Sequence, residues 1–235
     1  EMPDSFILIW IPMARRKSLA FLDVGQGDCF VADTKSGAII FDGGSSSEDQ
    51  VGRYRILPYM KYLGYQKIQI AVISHMDIDH YSGIKELLEM GKIKYLGLPE
   101  IPKDETMKKI IGIAKKRGTT IFYLSRGRQI TTKDGSLKVL HPQKNSQMEK
   151  NAASLVMQGK ILGYRVLLTG DVEKEGEEEL LSEELERADI LKAAHHGSKN
   201  STSNEFLQKV QPKQTVISCG KQNRYGHPHL ETIHR

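Results

Sequence analysis

Cysteine is scarce in this chain of 235 residues, which contains only Cys29 and Cys219, far apart and in no CxxC pattern. Two such residues argue against a disulfide framework and against a zinc site built from thiolates. Each cysteine lies in an apolar run, which predicts a small side chain in the core. Two cysteines do not fix the redox compartment.

Long apolar runs are absent as well. The run at residues 6–11 is far too short to span a bilayer, and its acidic start is untypical of a signal peptide. The sequence has no repeats or low-complexity segments, and nothing between residues 18 and 235 resembles a domain linker. Residues 1–17, which end in Arg-Arg-Lys, are predicted to be a linker or a cloning remnant that precedes a single domain at 18–235.

The composition is that of a soluble globular protein, with 39% hydrophobic and 27% charged residues. It excludes a disordered or fibrous chain. The formal net charge of +5 mildly favours a polyanionic partner, although an excess this small is equally compatible with background charge.

Short apolar runs alternate with longer helical patterns along the chain. Helices are predicted at residues 81–90, 104–117, 173–185 and 203–210, with Asp104 as the N-cap of the second helix and Gly118 just past its end. Strands are predicted at 18–24, 29–33, 38–41, 70–74, 94–98, 120–124, 128–132, 136–140, 155–158, 165–168, 190–194 and 215–218. This order predicts a layered α/β or α+β fold.

Three predicted strands run out into side chains that bind metals. The strand at 70–74 is followed by two imidazoles and two carboxylates within six residues, a set that suits a divalent cation. The strand at 165–168 leads to Asp171, and the strand at 190–194 leads to His195 and His196. A polar turn in which Asp79 caps the next helix explains the first segment alone, but all three together predict a metal site at the edge of the sheets.

Seven segments together resemble the metallo-β-lactamase superfamily and, within it, the C-terminal domain of ComEC-type DNA-uptake channels. They are FLDVGQGD (21–28), FDGG (41–44), HMDIDH (75–80), NAAS (151–154), LTGD (168–171), HHGS (195–198) and YGHPH (225–229). The resemblance covers residues 18–235 and implies an α/β fold, the metallo-β-lactamase-like four-layer αβ/βα sandwich. Domains of this family usually continue beyond the GHPH segment, so a truncated C-terminus is expected.

The resemblance also implies two divalent cations and the side chains that hold them: His75, Asp77, Asp79, His80, Asp171 and His195. The first two residues hold one cation, the next two hold the other, and Asp171 bridges both. His195 completes the second cation unless His196 does so. The third imidazole usual for the first cation has no match, and Asn151 lies in that stretch. Asp77 replaces a histidine of the superfamily, so Mn²⁺ is expected ahead of Zn²⁺ or Mg²⁺.

Catalysis of phosphodiester cleavage is expected to use Asp79 and Asp171 as acceptors for the attacking water. His227 is expected to bind the phosphate or to protonate the leaving group, unless it is a surface histidine of a proline-containing loop. Tyr81 and Tyr225 are candidates for stacking on bases, and ordinary structural tyrosines explain them equally well. Substrate contacts are expected from Asn151, Ser154, His196, Ser198, Lys199 and Arg224.

The function implied by the resemblance is a nuclease that degrades one DNA strand while the other is taken up. Its partners would be single-stranded DNA, the transmembrane channel portion of the same polypeptide and other competence proteins. It would be the soluble domain of a polytopic membrane protein on the extracytoplasmic side. Hydrolysis of a small ester, lactone or phosphocholine substrate is one alternative, since the same site serves many substrates. A DNA-binding module with a relic metal site is another, and the missing third imidazole is its best support.

Overall fold

The computed structural model describes residues 17–149 and 151–235, so nearly all of the predicted linker lies outside the described residues. Two six-stranded sheets form the centre of the described part. The first sheet follows chain order: β1 (Leu19–Phe21), β2 (Phe30–Thr34), β3 (Gly37–Phe41), β4 (Ile68–Val72), β5 (Ile93–Pro99) and β6 (Thr120–Leu124). β1, β2 and β3 pair antiparallel, whereas β3 to β6 are parallel.

The second sheet contains β7 (Gln129–Thr132), β8 (Gly135–His141), β9 (Val156–Ile161), β10 (Tyr164–Leu168), β11 (Ile190–Lys192) and β12 (Gln214–Val216). Its first four strands form an antiparallel meander, and β11 and β12 continue the sheet parallel to β10. The carboxyl ends of β10 and β11 therefore meet at one edge, which brings the segments that follow them together.

Helices cover the outer faces of both sheets. They are α1 (Leu57–Tyr62), which a π-helical stretch at Gly52–Ile56 precedes, α2 (Ile78–Glu89), α3 (Glu105–Lys116), α4 (Lys174–Ser182), α5 (Asn204–Val210) and α6 (Leu230–Ile233). Asp104 caps α3 by accepting a hydrogen bond from the Met107 N–H at 2.7 Å, as predicted. None of the described helices is long and apolar enough to cross a membrane.

Side-chain alternation along the strands builds three apolar layers. In β2, Phe30 and Ala32 point into the core between the sheets, whereas Val31 packs into the core beneath α1, α2 and α3. A third core lies between the second sheet and the helices α4 and α5, around Phe206. The order is helices, sheet, sheet, helices, so the predicted four-layer αβ/βα sandwich is confirmed.

The helical stretch at Gly52–Ile56 and α1 are absent from the prediction. Their pattern contains Pro58, and a proline inside a helical pattern predicts a helix end. Here Pro58 is the second residue of α1 and follows the π-helical stretch closely, so the helical backbone continues through the proline. α2 also begins earlier than predicted, at Ile78, which places Asp79 and His80 inside its first turn.

Candidate metal centre

A short turn between β4 and α2 carries the first group of site residues. Asp77 is the N-cap residue of α2 with an extended backbone, and Asp79 follows in the first turn of the helix. The glycine-rich segment after β3 passes close by, because a Cβ atom on Gly44 would lie 2.6 Å from backbone atoms of Asp79 and His80. The segments FDGG and HMDIDH are therefore packed backbone to backbone.

His80 is oriented by a carboxylate that comes from the end of β3. Asp42 accepts a hydrogen bond from the Ser74 N–H at 2.7 Å, and its Oδ2 lies 3.0 Å from His80 Nδ1. Both side chains are fully buried. The contact turns His80 Nε2 towards Asp171, whose Oδ2 lies 3.2 Å away. Asp42 thus acts behind the imidazole, which it orients.

Asp171 and His196 enter from the second sheet. The Asp171 N–H donates to Ser154 Oγ at 3.3 Å, so Ser154 positions the segment that follows β10. His196 adopts a left-handed backbone with φ 51°, and its Nδ1 lies 2.8 Å from the Ser218 carbonyl oxygen. Its Nε2 then faces two carboxylates, 3.4 Å from Asp79 Oδ2 and 3.3 Å from Asp171 Oδ2.

The two adjacent histidines occupy different environments. His196 is buried, whereas the side chain of His195 is 23% exposed and its Nδ1 lies 2.7 Å from Glu173 Oε1. His195 Nε2 is 3.9 Å from Asp171 Oδ2, farther than the corresponding atom of His196. The structure therefore places His196 among the carboxylates, and His195, the ligand implied by the resemblance, at the wall of the site.

The donor atoms of this cluster fit a divalent cation. His75 Nε2, His80 Nε2, His196 Nε2 and Asp171 Oδ1 are buried and have no hydrogen-bond partner among the described residues. Four groups in the described part of the chain each bring three ligand atoms within 4.8 Å of one another: His75, His80 and Asp171; Asp79, His80 and His196; Asp28, Asp171 and His196; and Asp28, Asp42 and His80. Buried polar atoms normally have partners, and imidazole nitrogens with carboxylate oxygens suit a transition-metal ion.

The charges of the cluster compensate one another strongly. Burial alone would raise the pKa of Asp171, but the neighbouring charges of His80 and His196 bring it well below its ordinary value. Burial would lower the pKa of His196, but the carboxylates of Asp171, Asp28 and Asp79 raise it to about 10. The electrostatic field of the site thus strongly favours positive charge.

Asp28 and Lys192 belong to the site; the sequence predicts Asp28 to lie behind the ligands or in a turn, and it predicts no role for Lys192. Lys192 ends β11, is buried, and forms an ion pair with Asp28. Its Nζ also donates to the Gly170 carbonyl at 3.1 Å and lies 3.6 Å from Asp171 Oδ1. The only sequence signal for this role is a lone lysine in the apolar run at residues 190–194.

A cleft of about 370 Å³ opens over the cluster, and we call it the metal cleft. Asn151, Arg224, Tyr225 and His227 line it together with Asp77, Asp79, Asp171 and both adjacent histidines. Three predicted substrate-binding residues do not line it. Ser154 is buried beneath Asp171, Ser198 Oγ accepts a hydrogen bond from the Asn200 N–H at 3.3 Å, and the Lys199 N–H donates to His229 Nδ1 at 3.2 Å.

His227 faces the other imidazoles of the metal cleft, with ring centroids 5.4 Å from His195 and 6.3 Å from His196. Partial burial and the neighbouring charges of His195 and His196 lower the pKa of His227 to about 4. The ring is therefore neutral at pH 7. It can donate a hydrogen bond to a substrate but does not offer a positive charge.

The fold and the site together define a class of proteins. In this class two mixed sheets form a sandwich, and the ends of their strands converge on a cluster of imidazoles and carboxylates. The sequence profile of the metallo-beta-lactamase superfamily matches residues 22–221, and the chain belongs to that superfamily. Solved structures agree with this fold. The metallo-beta-lactamase fold protein YhfI from Bacillus subtilis aligns over 92% of this chain and 93% of its own, with a TM-score of 0.60 at 14% identity. Human tRNase Z, short form, aligns over 87% and 92%, with a TM-score of 0.52 at 14% identity.

The chain is more similar in sequence to competence proteins than to these solved structures. The chain is 36% identical to ComE operon protein 3 of Bacillus subtilis, over 97% of this chain and 32% of that protein. It is 30% identical to competence protein ComA of Neisseria gonorrhoeae, over 88% of this chain and 27% of that protein. The predicted resemblance is therefore confirmed. The chain spans about a third or less of the length of these relatives.

Proposed function

We propose that the chain is a metal-dependent phosphodiesterase that degrades one strand of DNA during DNA uptake. The observation that carries the proposal is the buried cluster beneath an open cleft, in which imidazole and carboxylate atoms converge without hydrogen-bond partners in the described part of the chain. The competence relatives support DNA as the substrate, and the fold similarity to tRNase Z is compatible with phosphodiester chemistry.

The cluster is proposed to hold two divalent cations. His75 and Asp77 contribute to one, Asp79 and His196 to the other, and His80 and Asp171 lie where both groups of ligands meet. Such cations neutralise the charge of a phosphodiester and provide a nucleophilic water at neutral pH. The preference for Mn²⁺ over Zn²⁺ or Mg²⁺ stays a prediction, which depends on the carboxylate of Asp77.

The remaining residues of the metal cleft are proposed to bind and orient the substrate. Asp79 and Asp171 present carboxylate oxygens that accept hydrogen bonds from the attacking water. His227, neutral at pH 7, donates a hydrogen bond to a phosphate oxygen, and Arg224 adds a charge-assisted contact. Asn151 also lines the cleft and offers an amide to the same substrate.

The setting of the domain is also a proposal. On the resemblance to DNA-uptake channels, we propose that the domain belongs to a polytopic membrane protein and lies on its extracytoplasmic side; relatives at least three times as long as the aligned region support only that it is part of a longer polypeptide. Its partners would be single-stranded DNA, the channel portion of the same polypeptide and other competence proteins.

The test is cleavage of end-labelled single-stranded DNA by metal-stripped protein, with Mn²⁺, Mg²⁺ or Zn²⁺ added back. Wild-type protein is expected to cut when a cation is restored. Asp79→Asn is expected to lower the rate at least about a hundredfold, because it removes the negative charge and one of the two carboxylate oxygens while the side chain keeps its shape.

The matched control is Glu184→Gln, the same chemical change at an exposed position after α4. It is expected to cut at the wild-type rate. Folded protein that cuts nothing with any of the three cations would sink the nuclease proposal and favour a small-ester hydrolase or a binding module. Cutting that survives Asp79→Asn would remove the cluster as the active centre.

A further inference from the structure

Two further cavities adjoin the metal cleft, and their charges are opposite. One of about 290 Å³ is lined by Gln26, Ser46, Ser47 and residues 220–225, and we call it the basic subsite. Its charged lining residues are Lys221 and Arg224. The other, of about 880 Å³, shares Asn151 with the metal cleft, and we call it the acidic groove. Its charged lining residues in the described part of the chain are Asp104, Glu149, Glu173, Lys174 and Glu175.

The basic subsite is continuous with the metal cleft. Gln26, Ser46, Arg224 and Tyr225 line both cavities. Asn223 holds the loop that forms its wall, because its side chain donates to the carbonyls of Gly220 and His227 and accepts the N–H groups of Tyr225 and His227. These four hydrogen bonds fix the conformation of the loop that forms the wall.

A buried amide between the two cavities lacks a partner. Gln26 is 3% exposed, and its Oε1 accepts a hydrogen bond from the Gly220 N–H at 2.9 Å, which assigns the orientation of the amide. Its Nε2 is buried and has no hydrogen-bond partner among the described residues. A buried donor left unpaired is costly, so this amide calls for an acceptor.

Three nearly parallel rings lead from the basic subsite into the metal centre. Tyr225, which is 45% exposed, lies 5.7 Å from His227 with an angle of 23° between the rings. His227 in turn lies 6.3 Å from His196 with an angle of 29°. The Arg224 guanidinium carbon lies 4.9 Å from the centroid of the Tyr225 ring. An aromatic base can stack on the end of this column of rings. A phosphate group can bind to the positively charged side chains of Lys221 and Arg224 and to the amide of Gln26.

We propose that the basic subsite binds the nucleotide next to the scissile phosphodiester, and that the DNA strand leaves the metal cleft on this side and not through the acidic groove. This inference rests on the proposed function and deepens it. Lys221 and Arg224 contact the phosphate, Tyr225 contacts the base, and the Gln26 amide donates to a phosphate or base oxygen. The carboxylates of the acidic groove repel a polyanionic backbone.

The sharpest variant is Gln26→Glu. It keeps the acceptor for the Gly220 N–H and replaces only the unpartnered donor with an anionic oxygen. Tyr225→Ala and Lys221→Ala test the wall at exposed positions. Tyr164→Ala and Lys160→Ala are matched controls, because both are exposed and lie in the second sheet at the ends of β10 and β9 remote from Asp171.

Cleavage is measured on single-stranded DNA and on bis(p-nitrophenyl) phosphate, a small diester. Gln26→Glu, Tyr225→Ala and Lys221→Ala are each expected to raise KM for DNA at least about fivefold, the loss that one stacked base or one phosphate contact predicts. The kcat/KM of Lys221→Ala for the small diester is expected to stay within about twofold of wild type, since Lys221 lines the basic subsite and not the metal cleft. Glu175→Ala, in the acidic groove, is expected to leave KM for DNA unchanged.

A measurement of DNA binding tests the role of the basic subsite independently of cleavage. The dissociation constant of single-stranded DNA is measured in the Asp79→Asn background against salt, where Lys221→Ala should reduce the log–log slope by about 0.7 and Lys160→Ala should not. If the three subsite variants bind and cut DNA like their controls, the inference fails while the nuclease proposal stands. If wild-type protein binds DNA in the subsite but cuts neither substrate, the proposed function fails alone.

Discussion

At the scale of single residues, the sequence identifies the types of ligand but not their orientation. His75, Asp79 and Asp171 follow from carboxylates and imidazoles that come directly after predicted strands. The choice between His195 and His196 does not, because adjacent residues share the same strand end. What separates them is a left-handed backbone at both positions, φ 46° and 51°, which turns one ring inward and the other towards Glu173.

The two histidines provide a direct prediction. His196→Ala should weaken binding of one Mn²⁺ ion at least about tenfold, since even residues behind a ligand contribute that much to affinity. His195→Ala should change it by less than about threefold. Isothermal titration of metal-stripped protein with MnCl₂ measures both, with circular dichroism as the check on folding. The reverse order would make His195 the ligand after all.

Asp28 and Lys192 show why part of the site is hidden in the sequence. They belong to different sheets and lie far apart in the chain, so their ion pair arises only when the sheets pack together. A lysine in an apolar run predicts an exposed position on an edge strand. Burial of its charge depends on a partner that local pattern does not reveal.

At the scale of elements, the strands are predicted well, and two of the described α-helices, α1 and α6, are missed. Unbroken apolar runs such as β4 identify strands that are buried on both faces, and the caps of α3 are local enough to be found from the sequence. α1 is missed because Pro58 lies inside its helical pattern, and a proline in that position predicts a helix end. α2 is placed too late because the metal-binding motif itself forms its first turn.

Helix α4 forms hydrogen bonds with the segment that follows His195 and His196. Glu177 is buried, and its carboxylate accepts the N–H groups of Thr202 and Ser203 at 2.6 and 2.9 Å. Glu177→Ala should lower the free energy of unfolding by about 3 kcal/mol, because two backbone donors lose a charged acceptor. Urea denaturation measures it. The exposed neighbour gives the control, since Glu178→Ala should change stability by less than about 0.5 kcal/mol. Equal effects of the two variants would contradict this role.

At the scale of the whole molecule, the metal centre joins the two halves of the sandwich. His75, Asp79 and His80 belong to the first sheet and its helices, whereas Asp171 and His196 belong to the second. A cation bound between them is a cross-link that exists only in the folded state. The four-layer order follows from strand and helix patterns together with the resemblance, but the pairing of these edges becomes visible only in the structure.

Bound cations should therefore stabilise the fold as a whole. Each tenfold increase in free Mn²⁺ above the dissociation constant should add about 1.4 kcal/mol for each occupied site, which raises Tm by roughly 3 °C or more in a chain of this size. Thermal unfolding after chelation and with graded MnCl₂ measures the effect. His196→Ala should flatten the dependence. A Tm that does not change with the Mn²⁺ concentration would show that the cluster binds no metal in the folded protein.

The buried ammonium group of Lys192 has a consequence for the order in which the protein matures. Carboxylates enclosed without a counter-charge would oppose closure of the sandwich, because a buried unpaired charge costs several kcal/mol. Lys192 carries that counter-charge on the chain itself and holds Asp28 beside Asp171 from the moment the sheets meet. We therefore expect that folding does not have to wait for cations, and that the domain folds first and binds any cation afterwards.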